Sequence, residues 1–182
     1  LPGKFKYKQD RDMYDYVYLS EDMINLSGRK YQKKRNHINK FLKHYMYEYE
    51  PISDENIEEC LIAEIEWAAG RPGDNGIEEE KAAIVEALRN METLGIKGGA
   101  LRINDRIQAF SLGEVLNPNM AVIHIEKANI DYEGCYAMIN QQFAKNCWSD
   151  FKYINRQEDM GIHGLRRAKK SYYPIKMITK YT

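Results

Sequence analysis

The sequence predicts an α/β domain, an α+β arrangement around a mixed sheet, and three observations predict it. From position 47 onward the strand-like and helix-like runs follow in the order β-α-α-β-β-β-α-β-α-β. Three consecutive strand runs, 97–103, 106–116 and 120–127, are separated only by the turn-forming Asn104-Asp105 and Asn117-Pro118-Asn119. A helix-period run follows them directly, with Tyr132, Tyr136, Ile139, Phe143 and Cys147 on one stripe.

The elements read in order as follows. Residues 15–19, Asp-Tyr-Val-Tyr-Leu, favour a short leading strand. Residues 29–45 read as a helix that is basic on most faces, with Ile38, Phe41 and Leu42 on its apolar side. A strand at 47–52 is stopped by Pro51 and Ser53. Ser53 is the expected N-cap of the next helix, where Asp54 and Glu55 suit the positive end of the dipole. Ile57, Cys60, Leu61, Ile65 and Ala68 recur at helical spacing as far as Gly70, and 71–76 reads as a loop. Ile77, Ile84, Val85, Leu88 and Met91 mark the following helix, closed by Gly95 at C′. Gly98-Gly99 suggests a bulge or close strand packing. A strand at 151–154, a helix at 161–170 and a strand at 173–181 complete the chain.

Composition narrows the class. At 182 residues, 43% hydrophobic and 30% charged, the chain holds one full core and is too apolar for a disordered segment. No apolar run reaches the roughly 18 residues of a membrane span, so neither an integral membrane segment nor a secretory leader is expected. The chain begins with Leu1, and it is expected to be a piece of something longer. Cys60, Cys135 and Cys147 are odd in number and scattered, which fits a reduced, cytoplasmic protein. Neither they nor His37, His44 and His163 show metal-ligand spacing, so no metal site is expected. Fourteen tyrosines against five phenylalanines suggest amphipathic packing beside a wet groove.

Net charge is zero but segregated. Residues 28–45 carry seven Lys/Arg and no acid, 48–67 carry acids and no Lys/Arg, and 161–182 carry cations alone. Two such basic tracts are candidates for binding an anion, beside the plainer reading of solvated helix faces. No DNA partner is expected.

The element order resembles that of the GNAT acyltransferase fold, in which the joint after the strand trio seats the pyrophosphate of coenzyme A. Here that joint is Asp131-Tyr132-Glu133-Gly134-Cys135-Tyr136. Such a seat needs a cation and open, glycine-like residues, so that backbone N–H groups at the helix start reach phosphate. Asp131 stands where Arg or Gln is wanted, and Tyr136-Ala137 replaces the open glycine. Coenzyme A is therefore disfavoured, and no cofactor is expected.

The run from Leu26 through Lys30 to Asn36 resembles the basic helix start in the C-terminal domain of bacterial phosphatidylglycerol lysyltransferases. Gly164-Leu165-Arg166-Arg167-Ala168-Lys169, followed by Tyr172 and Pro174, is similar to that domain's closing stretch. His124-Ile125-Glu126-Lys127 and residues 134–140 lie between them in the same order. Residues 153–162 and 28–41 look closest to a poorly characterised bacterial family related to that domain. The resemblance implies a tandem pair of GNAT-like lobes, of which this chain is similar to the second (47–182) with a lead-in strand and basic helix (1–46). It implies a missing N-terminal lobe of the same chain as partner. It also implies aminoacyl-tRNA as donor of an aminoacyl group to an unidentified acceptor. Two other readings stand beside it: an acyl-CoA-dependent N-acyltransferase, and a non-catalytic lobe that binds RNA or a partner.

Transfer from an aminoacyl ester needs ester and nucleophile positioned, a proton taken, and the oxyanion stabilised. On the third strand of the trio, His124 and Glu126 alternate with Ile123 and Ile125 and so share one face. Glu126 is the candidate general base or amine anchor, against a plain salt bridge. Lys169 in the closing motif is implied to hold the donor's terminal adenosine or to stabilise negative charge, against a solvated helix lysine. Arg166 and Arg167 are adjacent, so at most one reaches the site; Tyr172 follows in the same motif. Asn155 and Arg156 end a strand, where α/β folds place functional side chains, whereas Glu158 and Asp159 read as caps of the helix after them. Arg29, Lys30, Lys33, Lys34, Arg35 and Asn36 are the phosphate-contact candidates, with Lys30, Lys33 and Lys34 on one helical face. Tyr31 reads as core rather than as a base-stacking platform.

Overall fold

A computed structural model describes residues 6–69 and 77–181; the loop expected at 71–76 lies outside the described residues. In chain order the elements are β1 (Asp15–Leu19), α1 (Ser20–Asn25), α2 (Gln32–His44), β2 (Glu48–Pro51), α3 (Ile57–Ala69), α4 (Ile77–Arg89), α5 (Met91–Leu94), β3 (Lys97–Ile103), β4 (Arg106–Asn117), β5 (Met120–Ala128), α6 (Cys135–Cys147), β6 (Tyr153–Asn155), α7 (His163–Lys170) and β7 (Lys176–Ile178). The strands form one sheet in the order β2-β3-β4-β5-β6-β1-β7, parallel only between β5 and β6. The predicted order from β2 onward is recovered, with α5 as a short addition after Asn90.

The local signals explain most of this. Asn104 and Asp105 both take positive φ (50° and 60°), as a two-residue turn of the I′ kind requires. Asn117 Oδ1 accepts the Asn119 N–H at 3.0 Å and closes the second turn. Gly95, at φ 67°, ends α5 as a left-handed C′ residue. Gly98 and Gly99 serve close strand packing: a Cβ on Gly98 would lie 2.8 Å from Ile52 Cβ.

Four expectations need correction. Ser53 does not cap α3, because a turn intervenes and the helix starts at Ile57. There the buried Asn56 accepts the Ser53 N–H and donates to the Pro51 carbonyl. Residues 29–31 form a separate 3-10 turn ahead of α2, so the basic run is not one helix. The final strand pairs only at residues 176–178, with one bridge between Gln9 and Tyr181 beyond it. Most consequentially, the leading strand does not merely lead in. β1 lies inside the sheet, antiparallel to β6 on one side and β7 on the other.

Helices cover both faces. One core gathers Tyr16, Tyr18, Phe41, Leu101, Phe143 and Trp148 beneath α1, α2 and α6; the other gathers Cys60, Ile84, Leu88, Ala100, Phe110 and Leu112 beneath α3 and α4. Neighbouring strand residues such as Ala100 and Leu101 serve opposite cores, as strand periodicity dictates. Burying such side chains is the dominant favourable term in folding.

One feature of the sheet positions the site. β5 and β6 share three rungs, Met120↔Tyr153, Ala121↔Ile154 and Val122↔Asn155. The chain then turns toward β1, where the Arg156 N–H donates to the Tyr16 carbonyl at 2.9 Å. From Ile123 to Ala128 that edge of β5 has no strand beside it among the described residues, and the sheet opens.

Candidate functional site

The opening is a cleft of about 780 Å³, walled by the second half of β5, the start of α6, residues 156–160 and α7, with Lys34 reaching in from α2. Residues 156–161 form the wall opposite β5. Gln157 (φ 55°) and Met160 (φ 52°) are left-handed, which costs an L-residue roughly 1 kcal/mol or more each. Surrounding contacts must hold them there, and Asp159 supplies these. Its carboxylate, fully buried, accepts from Arg166 Nε at 2.8 Å, Arg166 Nη2 at 2.7 Å, the Gly161 N–H at 3.0 Å and the Tyr16 hydroxyl. The Arg166 guanidinium, first among these, holds the Asp159 carboxyl well below the usual carboxylate range. Lys169 staples the same wall from beneath. Its ammonium donates to the Arg156 carbonyl and, at 2.7 Å, to that of Glu158.

Arg156 projects from this wall across the gap. Its Nε and Nη2 donate to Glu126 Oε2 at 2.8 and 2.6 Å, and Asn140 from α6 donates to Glu126 Oε1 at 2.6 Å. The guanidinium lies against the rings of Tyr172 (4.9 Å to the centre) and Tyr18 (5.7 Å). Lys34 Nζ sits 3.9 Å from the centre of the same Tyr172 ring. Burial, and then the Arg156 charge, pull the Lys34 and Lys169 ammonium groups down to about 8.

These lysines make stability depend on pH. Unfolded lysine titrates near 10.4, so between about pH 8 and pH 10 the unfolded chain binds more protons on these lysines than the folded one. The lysine contribution to stability should rise across that window, against a fall from the buried thiols of Cys60, Cys135 and Cys147, which keep protons that the unfolded chain releases there. Above it burial of the Tyr18, Tyr31 and Tyr172 hydroxyls adds to the fall, because they too keep protons that the unfolded chain releases. Urea unfolding of the native protein beside Lys34→Met isolates the lysine part: the native protein should gain on the variant as pH rises from about 8 to about 10.

The structure brings Lys34, His124, Glu126, Arg156, Lys169 and Tyr172 to the cleft. His124 is held between Glu114 (3.0 Å) and Gln157 (2.9 Å), and Glu126 is engaged on both oxygens, as an ion-paired carboxylate rather than a free base. Other candidates lie elsewhere for identifiable reasons. Asn155 is buried against Asp15 at 3.0 Å. Arg166 is taken by Asp159 and Asp12. Arg35 closes the turn before α2, donating to the Leu26 and Gly28 carbonyls. Lys30 pairs with Asp22 at 3.3 Å and lies in the preceding 3-10 turn, outside α2. Asn36 accepts from Gln32 at 2.9 Å. Arg29, Lys33 and Arg167 are exposed on the surface. Tyr31 is core, its hydroxyl donating to the Tyr172 carbonyl. Glu158 pairs with Lys180 at 3.0 Å, and Asp159 anchors the cleft wall instead of capping α7. Asn140, Tyr16 and Tyr18 were not expected as supports, since no periodicity marks a buried polar partner.

A family model described as phosphatidylglycerol lysyltransferase, C-terminal, matches residues 3–182. The chain belongs to that family. Among solved relatives of this lysyltransferase C-terminal domain, a conserved protein of unknown function from Bacteroides thetaiotaomicron superposes with TM-score 0.94 at 44% identity, over 100% of this chain and 62% of that one. The C-terminal domain of a putative lysylphosphatidylglycerol synthetase from Agrobacterium fabrum gives 0.64 at 13% identity, over 96% and 60% of the two chains. L-PGS from Bacillus licheniformis gives 0.64 at 16%, over the same shares. These last two share the fold, which is GNAT-like. An uncharacterised protein of Mycoplasmoides gallisepticum is 26% identical over 169 residues, 92% of this chain and 54% of its own length. The chain thus spans about half of that curated relative. None of the helices among the described residues is long and apolar enough to cross a membrane.

Proposed function

We propose that this domain carries the acyl-transfer centre of an aminoacyltransferase, which moves an aminoacyl group from the ribose oxygen of aminoacyl-tRNA to an acceptor in the Arg156 cleft. The observation that carries the reading is the parting of β6 from β5 after Val122, which leaves an open strand edge beside the Arg156–Glu126 pair. A carbonyl laid along that edge meets backbone N–H groups without a partner strand, and the guanidinium stands by to stabilise the developing oxyanion. The acceptor's nucleophile bonds to the ester carbon, and the bond from that carbon to the ribose oxygen breaks. The proton of the nucleophile ends on the ribose oxygen. In this reading Glu126 positions Arg156, and Lys169 fixes the wall that bears it. Exposed Arg29, Lys33 and Arg167 are placed for tRNA phosphates, and that part of binding should weaken steeply with salt. A charged tRNA as donor puts the reaction in the cytoplasm, and the length of the relatives beyond this match is read as a partner lobe.

Coenzyme A has no part in this reading. Gly134, the N-cap of α6 at φ 88°, lies against the His37 carbonyl of α2. A carbonyl oxygen at a helix start opposes a pyrophosphate, which seeks N–H donors there. The test is to incubate the full-length protein with a pool of charged tRNAs. Loss of one ester above the blank rate is the expected result; if every ester persists, the donor assignment falls.

A further inference from the structure

We infer that the cleft seats a substrate carboxylate between Lys34 and Arg156, an assignment that rests on the transfer reading above and narrows its substrate class. The charge pattern of the cleft leads to it. Each carboxylate on its walls is engaged by a protein cation: Glu126 by Arg156, Glu80 by Lys127 at 2.7 Å, Glu133 by Lys40 at 2.8 Å and Glu158 by Lys180 at 3.0 Å. The cations are not matched in return. Lys34, Arg156 and Lys169 all line the cleft with Glu126, and excess buried charge of one sign is unfavourable until an opposite charge arrives.

Two donors remain uncommitted. The Arg156 side chain is nine-tenths buried, with Nε and Nη2 on Glu126, while its Nη1 has no partner among the described residues. A buried guanidinium N–H without an acceptor is rare and calls for an explanation. The Lys34 ammonium has only the Tyr172 ring beneath it, with no carboxylate or carbonyl partner among the described residues. Arg156 approaches that same ring, and both residues line the cleft. Lys169, by contrast, already donates to two carbonyls. The Lys34 ammonium and one N–H of Arg156 Nη1 suit the two oxygens of a carboxylate, and the second Nη1 N–H is left for the oxyanion; a phosphate brings more oxygens than these groups can satisfy. A lysyl ammonium at this position would meet like charge and an already engaged Glu126.

Two sources of carboxylate fit: an acidic side chain on the transferred amino acid, or a free carboxylate on the acceptor. Calorimetric titration of the full-length protein with aspartic acid α-amide, N-acetylglycine, dimethyl phosphate and lysine amide separates them. At least one carboxylate should bind, about tenfold or more weakly to Lys34→Met, with recovery in Lys34→Arg. Preference for aspartic acid α-amide assigns the donor; preference for N-acetylglycine assigns the acceptor. The inference is overturned if neither carboxylate binds, if Lys34→Met binds as the native protein does, or if dimethyl phosphate or lysine amide binds more tightly than both. No charged tRNA enters this titration, so its failure and a failure of ester consumption are separate results.

Discussion

Arg156→Met should cut consumption of the cognate aminoacyl-tRNA by about 100-fold or more, the usual effect of removing one well-placed oxyanion donor. The same change strips Glu126 of its ion pair. Removing one member of a buried pair costs roughly 3–5 kcal/mol, so lost activity alone would not separate chemistry from folding. The double variant Arg156→Met with Glu126→Gln removes that ambiguity, because a neutral amide still partners Asn140. It should melt near the native temperature and remain inactive. If instead the double variant consumes the ester at the native rate, Arg156 only ties α6 and β5 to the wall. The domain would then be better described as a binding lobe without chemistry of its own.

Asp159→Asn should lower stability by about 3 kcal/mol, the lower end of that range because Arg166 is partly exposed and keeps Asp12. The carboxylate is the shared acceptor for Arg166, Tyr16 and the Gly161 N–H, and an amide cannot serve all three. Its depressed pKa gives the sign with pH. The contribution is complete above the unfolded value near 3.9 and is lost as pH falls below it, so the native protein should approach the Asn variant in stability on acidification. Urea midpoints of both proteins at about pH 7 and about pH 3 measure this. A difference that stays constant would show that the carboxylate's charge is not what holds the wall. Because residues 156–161 carry Arg156, Asp159→Asn should also slow ester consumption.

Much of the fold was legible because its signals are local. The Asn104-Asp105 and Asn117-Pro118-Asn119 turns, the stripe on α6 and Gly95 each determine a nearby backbone, and the β-α-α-β-β-β-α-β-α-β order follows from them. The position of β1 was not legible, since Asp15–Leu19 meets partners more than 130 residues away and nothing local names them. The site divides in the same way. Lys169 and Tyr172 were marked by motif, Arg156 by its place at the end of a strand, and Glu126 by alternation on β5. Which cations were free was hidden: Arg35 and Arg166 look like Lys34 in sequence, yet their partners come from turns and loops that only folding assembles. Asp159 misled for the opposite reason. An acid just ahead of a helix is normally a cap, and only its burial beside Arg166 shows otherwise.

The placement of β1 has a consequence for biogenesis. During synthesis the segment Asp15–Leu19 leaves the ribosome long before Tyr153–Asn155 and Lys176–Ile178 exist, and it must wait unpaired for both. Contacts that span so much of the chain slow folding. The nascent protein therefore closes its sheet, and with it the wall that bears Arg156, only once residues 176–178 have been made and are free.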